Sequence, residues 1–340
     1  MKLTPKAWLQ WLAPLVLLIA LIFAFRDQLP FLGQAFSTLL EADPLPLVAG
    51  AFTAVSSLVA MAEVMRLLMN SGNTLRVSTK DTVAITIASN AWSTTIPGGP
   101  AFSAWLTYRV QRSWGATLGL CGWFLVVSSI ISTMWLVLIG IAAVLFLGAD
   151  LSLPTLFSSL VASIVLMTVV YWVTTHPEKL RAWAASWPQC IRRNAIKVID
   201  QLATVRMTPQ AFLGASTHSL LNRLFDVATL YFSVWAVTGS APGLTAGTSH
   251  TTVMGVALGY VMAKLAGSAQ ITPGGVGTVE ALTAGALVAS GMTLVDATAA
   301  TLVYRLISFI FISAVGWIVF LFAYARKGFM LGRQEHAPFD

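Results

Sequence analysis

Pro273-Gly274-Gly275-Val276-Gly277 cuts an apolar stretch at 251–290 into two arms, and Ile96-Pro97-Gly98-Gly99-Pro100 cuts 81–111 in the same way. Proline lacks the N–H that a helix interior needs and glycine favours other backbone, so each cut ends one helix and begins another. The arms at 81–95, 101–111 and 278–290 fall short of the roughly 20 residues that cross a bilayer as a helix, and only 251–272 reaches that length. Non-helical backbone at membrane depth is tolerated only where protein buries it or it lines a wet cavity. Both regions therefore read as re-entrant helical hairpins, with Pro97, Gly98, Gly99, Pro273, Gly274, Gly275 and Gly277 as the breaks and expected hinges.

The surrounding chain calls for a membrane. Of 340 residues, 57% are hydrophobic and 10% charged, whereas soluble domains carry about 25% charged residues. That excludes a cytosolic enzyme, a secreted domain and a disordered regulator. Six spans are predicted, at 8–25, 45–69, 116–148, 155–173, 211–237 and 294–325. The first resembles a signal peptide in its charged start, but no small-x-small cleavage pattern follows it and it reads as a retained helix. Residues 31–40 suit an interfacial helix, and 177–210, with six basic residues against Glu178 and Asp200, suits an amphipathic segment on the cytoplasmic leaflet. The fold class is thus an all-α polytopic membrane protein, one integral membrane domain over 1–340 with halves at 1–148 and 155–325.

Charge orients it. With the N-terminus inside, sixteen of the 20 basic residues lie on the cytoplasmic side; Arg26 alone faces out, and Arg223, Lys264 and Arg305 fall within the membrane. This is the positive-inside asymmetry, so the net charge of +7 marks topology rather than a nucleic-acid partner. Both termini are expected in the cytoplasm of a cell with this protein in its inner membrane. The first hairpin then enters from the cytoplasm and the second from outside. Aligning Pro97 with Pro273 also matches Gly98-Gly99, Leu106, Thr107, Gly115 and Thr117-Leu118 with residues 176 positions later, eight identities in 22. Related segments of opposite orientation signal an inverted repeat, whose substrate site lies where the broken elements meet near the midplane.

A charge in hydrocarbon costs about 2.5–3.5 kcal/mol on insertion scales and needs a partner or a purpose. Arg223 and Asp226, three apart on one helix, are expected to form an intramembrane ion pair. Glu63 and Arg66 have the same spacing near a cytoplasmic helix end. Glu280 sits in the first turn after the second break, with Thr278 as the expected N-cap, where it can meet the helix dipole, Lys264 or Arg305. Lys264, Arg305 and the adjacent Tyr304 lie too deep to snorkel. An arginine fork and a lysine near helix N-termini suit a phosphate, and the phosphates of a membrane are lipid headgroups. An internal network with Glu280 and Asp226 is the alternative. Arg109 and Arg112 follow the first hairpin at headgroup level, where they collect anionic lipid or anchor topology.

Other chemistries lack their residues. There is no G-x-x-x-x-G-K-[ST], H-E-x-x-H or G-x-S-x-G motif, and Cys121 and Cys190 form no C-x-x-C pair. External acids are limited to Asp27, Glu41, Asp43, Asp150 and Asp296, too sparse for a metal-dependent transferase. Of the histidines only His218 falls within a span, where a hydrogen-bonded helix contact is the commoner role. Neither metal nor cofactor is expected.

The run Gln270-Ile271-Thr272-Pro273-Gly274-Gly275-Val276-Gly277-Thr278-Val279-Glu280, with Gly291 and Tyr304-Arg305 after it, resembles the lysylphosphatidylglycerol synthase transmembrane-region family of flippase-like membrane proteins, in its P-G-G-x-G-x-x-E and Y-R elements. Arg223-Leu224-Phe225-Asp226 also fits, and the resemblance covers nearly the whole chain. It implies a module similar to the flippase that moves aminoacylated phosphatidylglycerol in bifunctional members, where a soluble domain performs the aminoacyl transfer. No such domain is expected in this sequence, since the residues after Ala325 are too few to fold into one. The first hairpin departs from the family's Gly-Glu followed by Arg: Gly99-Pro100-Ala101 carries no acid, and Arg109 is the nearest arginine. Another lipid, such as a polyprenyl-phosphate sugar or other glycolipid, is therefore open.

The expectation is a flippase, not an enzyme, that moves an anionic or phosphate-bearing lipid, with Lys264, Arg305, Glu280, Tyr304 and Arg109 at the headgroup. Two alternatives stand beside it. One is an intramembrane transferase with Glu280 as base and His218 as helper, and the other a non-catalytic partner of a lipid or cell-envelope synthase.

Overall fold

The computed structural model describes residues 42–71, 75–96, 98–147, 208–245, 250–269 and 273–324, with position 165 apart from them. The expected elements at 8–25, 31–40 and 155–173, most of 177–210, and Pro97 lie outside the described residues. What is described is helical, with one isolated bridge between Gly243 and Thr252.

Three helices are long and apolar enough to cross a membrane: α1 (Pro44–Met69), α4 (Leu118–Phe146) and α5 (Pro209–Thr238). A fourth crossing, Leu294–Ala323, is built from α8 (Leu294–Arg305), a π-helical turn (Leu306–Phe311) and α9 (Ile312–Ala323). Polar caps start these runs where the pattern turns apolar. Asp43, Thr117, Thr208 and Thr293 each accept a hydrogen bond from a backbone N–H of the first turn, and Pro44 and Pro209 stand where no N–H is required. Between the crossings lie two pairs of shorter helices, α2 (Thr79–Thr95) with α3 (Gly99–Ser113) and α6 (Val253–Ala269) with α7 (Thr278–Ala289). Each pair packs together about its Pro-Gly-Gly break.

The elements repeat at the spacing the sequence alignment gives. Shifted by 176, α2, α3 and α4 fall on α6, α7 and the Leu294–Ala323 crossing, to within a few residues. The turns agree in detail. Gly115 and Gly291 both have positive φ, and Ala116 N–H donates to Gln111 O as Met292 N–H donates to Leu287 O, each at 3.1 Å. Helices α1 and α5 run antiparallel: Asp43 N–H donates to Ala236 O at 3.0 Å, and Ser57 Oγ donates to Asp226 Oδ1 at 2.6 Å. Between those contacts Thr53 Oγ1 and Thr229 Oγ1 lie 3.0 Å apart and 176 residues apart in sequence. A residue that touches its own counterpart sits beside a pseudo-two-fold axis.

Aromatic packing holds the first helix pair to the last crossing. Trp92 stacks on Trp105 and Trp317 with ring centroids 6.5 and 6.1 Å apart and meets Phe320 at 5.1 Å. Trp317 Nε1 donates to Thr95 Oγ1 at 3.1 Å, while the Thr94 and Ser313 hydroxyls are 2.9 Å apart. The second pair buries Tyr260, Val279 and Leu287 against Leu230 and Val234 of α5. Large apolar side chains such as Phe52, Phe146, Leu213 and Phe322 remain exposed on the outer surface, as a lipid-facing wall requires.

Candidate functional site

The two breaks meet. Gly274 has φ +64°, and a Cβ built there would lie 2.6 Å from the Phe309 ring and 3.0 Å from Thr94 O, at the end of α2. Gly99 has no positive φ, but any Cβ on it would run into the Ser93 carbonyl of the preceding helix. Glycine at these positions lets one backbone close on another.

Beside this contact lies a cavity of about 620 Å³. Both breaks line it, through Ile96, Gly98 and Gly99 and through Gly274 and Gly275. Thr133, at the middle of α4, and Arg223, at the middle of α5, place it at mid-depth of the crossing helices. Lys264 of α6 and Tyr304 and Arg305 of α8 complete its polar wall. Arg223, Lys264 and Arg305 all face the cavity, whereas Asp226 and Glu280 stand behind them and do not line it.

Both oxygens of each carboxylate have partners. Arg305, 7% exposed, donates from Nε to Glu280 Oε1 at 2.6 Å and from Nη2 to Gly274 O at 2.8 Å, with its guanidinium 4.6 Å from the Phe309 ring centroid. The other Glu280 oxygen accepts from Gly277 N–H at 2.6 Å. That corrects the expected cap: Gly277 holds the N-cap position, while Thr278 Oγ1 turns back to donate to Gly275 O at 3.0 Å. Glu280 thus ties the first turn of α7, the second break and the last crossing into one unit.

The intramembrane pair is also corrected. Asp226 pairs with Lys264 Nζ at 2.7 Å, not with Arg223, and further accepts from Ser57 Oγ at 2.6 Å and Tyr260 OH at 3.3 Å. Arg223 reaches across to α4 and α6 instead, donating to Ser132 O at 3.3 Å, Ser132 Oγ at 2.7 Å and Tyr260 OH at 3.1 Å. Residues three apart on a helix share a face, but here that face meets different neighbours at its two ends, and the neighbours decide the pairing.

Of the residues expected at the headgroup, the structure brings Lys264, Tyr304 and Arg305 to the cavity wall and Glu280 just behind it. Arg109 is elsewhere, on α3 over the Trp105 ring at 5.1 Å, and is not part of the lining. Glu63 and Arg66 form their pair at 2.6 Å. His218 keeps its Nδ1 2.8 Å from Gly214 O of its own helix. Sequence reasoning missed Tyr260, Ser132, Ser57 and Phe309, ordinary residues of apolar spans; only the i, i+4 placement of Tyr260 before Lys264 hinted at a shared role. The π-helical turn directly after Arg305 was likewise unforeseen, and such turns gather at functional sites.

Comparison with curated proteins returns no match. A family model described as the lysylphosphatidylglycerol synthase TM region matches residues 10–316. That span contains both breaks, all three cavity-facing cations and their carboxylates, and the chain therefore belongs to the lysylphosphatidylglycerol synthase transmembrane-region family.

Proposed function

We propose that this protein is a lipid translocase of the cytoplasmic membrane, which moves an anionic, phosphate-bearing lipid between leaflets. Six spans carry two re-entrant hairpins of opposite entry, both chain ends lie in the cytoplasm, and the headgroup crosses through the cavity where the hairpins meet. The acyl chains stay in the bilayer. Family membership supports a function tied to membrane lipid. One observation carries the reading furthest: three cations face a mid-depth cavity while the carboxylates that help hold them are turned away from it. Such a wall is electropositive toward its contents, and a phosphate among Arg223, Lys264 and Arg305 meets charge and donors already in place.

The breaks supply the movement. Each interrupts a helix pair beside the cavity, and rocking one repeat against the other about such hinges opens a central site to either side in turn. With no ATP-binding motif in the sequence, a gradient, the membrane potential or equilibration drives the lipid.

Reconstitution in vesicles with a fluorescent anionic phospholipid, whose outer-leaflet fraction is quenched by a membrane-impermeant reductant, tests this. Wild-type protein should equilibrate the label between leaflets, and Arg305→Ala should slow it roughly tenfold or more. Equal rates with and without protein would remove the translocase reading.

A further inference from the structure

The charges around the cavity do not balance, and Arg223 is the cation with no carboxylate in direct contact. Lys264 and Arg305 each face a carboxylate, at 2.7 and 2.6 Å. Arg223 does not: all three of its nitrogens donate to neutral oxygens, two on Ser132 and one on Tyr260. Among the described residues the site therefore holds three cations and two carboxylates, an excess of one positive charge. A guanidinium has five N–H hydrogens, and three of Arg223's are occupied, which leaves two without an acceptor among the described residues on a side chain that lines the cavity. An excess positive charge at mid-membrane is costly to maintain, and a bound anion offsets that cost.

The remaining polar lining is neutral. Asn90, Ser93, Thr133, Ser268 and Ser308 present amide and hydroxyl groups, and among the described residues no Asp or Glu lines the cavity. A headgroup hydroxyl finds partners here. A headgroup amine finds only neutral acceptors here, because the nearby carboxylates stand behind the wall, already paired with Arg305 and Lys264.

We infer that Arg223 is the anchor for the substrate phosphate, and that the site selects a monoanionic phosphodiester lipid with a hydroxyl-rich, amine-free headgroup, either glycerol or a cyclic polyol. This rests on the translocase reading above. A phosphomonoester brings a second negative charge with no free cation to meet it. An aminoacylated headgroup brings positive charge to a wall that is already positive.

The test is headgroup competition on the full chain in phosphatidylcholine vesicles, with acyl-labelled phosphatidylglycerol, phosphatidylinositol, lysylphosphatidylglycerol and phosphatidate compared for movement between leaflets. The expected result is that phosphatidylglycerol or phosphatidylinositol moves at least about tenfold faster than the other two, and the faster of the pair tells glycerol from inositol. Arg223→Gln should reduce that rate about tenfold, while Arg223→Lys, which keeps the charge but not the fork, retains part of it. Lysylphosphatidylglycerol or phosphatidate moving as fast as phosphatidylglycerol would overturn the inference and leave the translocase reading standing. So would a folded Arg223→Gln protein at the wild-type rate beside an inactive Arg305→Ala. Should Arg223→Gln not fold, the wild-type headgroup ranking decides alone. Movement of no lipid at all by wild type would bring down both readings.

Discussion

Arg305 and Glu280 are the residues at which stability and function are hardest to separate. Their side chains are 8% and 15% exposed and meet at 2.6 Å, so removing either partner leaves a largely buried charge alone. The cost of breaking such a pair is about 3–5 kcal/mol. Arg305→Ala should therefore lower the unfolding free energy in detergent by about that amount, and Glu280→Ala likewise. The double variant should lose clearly less than the sum, because no orphaned charge remains. Strict additivity in a denaturant titration of all four proteins would show that the pair is not coupled in solution. Sequence alone shows why these residues matter, since a charge so deep in an apolar run needs a reason. It names candidates without choosing among them: Glu280 could meet Lys264 or Arg305, and the structure pairs it with Arg305. Lys264 was expected at a phosphate, with an internal network to Glu280 and Asp226 as the alternative, and its partner is Asp226, 38 positions earlier in sequence and positioned by Ser57 and Tyr260. Hydroxyls inside apolar spans look alike in sequence until the helices are assembled.

The breaks can be read at the level of the element because proline and paired glycines leave a helix few ways to continue. Their consequence for substitution differs between the two halves. At Gly99 the obstacle to a side chain is the Ser93 backbone, which cannot rotate away. At Gly274 the obstacles are the Phe309 ring, which can shift, Thr94 O, and a φ of +64° that alanine adopts at a cost of about 1–2 kcal/mol. Gly99→Ala is accordingly expected to destabilise by about 1–3 kcal/mol through overpacking, seen as a lowered melting temperature in detergent. Gly274→Ala should fold with a smaller shift in melting but lose lipid movement, because it stiffens the turn whose carbonyl receives Arg305. If Gly274→Ala moved lipid at the wild-type rate, the second break would be a static turn rather than a hinge. The π-helical turn at Leu306–Phe311 had no sequence signal: Leu-Ile-Ser-Phe-Ile-Phe contains neither glycine nor proline.

At the scale of the molecule the repeat is nearly symmetric in backbone and wholly asymmetric in charge. The positions 176 before Lys264, Glu280 and Arg305 are Ala88, Ala104 and Ser129, and those before Arg223 and Asp226 are Leu47 and Gly50. The second half therefore carries the charges that face the cavity, while the first lines it with uncharged residues and keeps its own charges, such as the Glu63–Arg66 pair, away from it. That division explains how the alignment around the breaks foretold the element order although the departure of the first hairpin from the family pattern left its role open. The movement of one half against the other that the proposed transport requires can be locked. The Thr94 and Ser313 hydroxyls lie 2.9 Å apart, one at the end of the first helix pair's α2 and the other in the last crossing, so cysteines at these positions stand close enough to join. In a chain with Cys121 and Cys190 replaced by alanine, Thr94→Cys/Ser313→Cys should oxidise readily to a single intramolecular bridge. If the cavity opens by separation of the first break from the last crossing, the oxidised protein should bind its lipid but move it at least about tenfold more slowly, with recovery on reduction. A bridged protein that still equilibrates lipid at full rate would place the moving joint elsewhere, between α6 and α7 and the helices around them, where the second break alone would have to open the path.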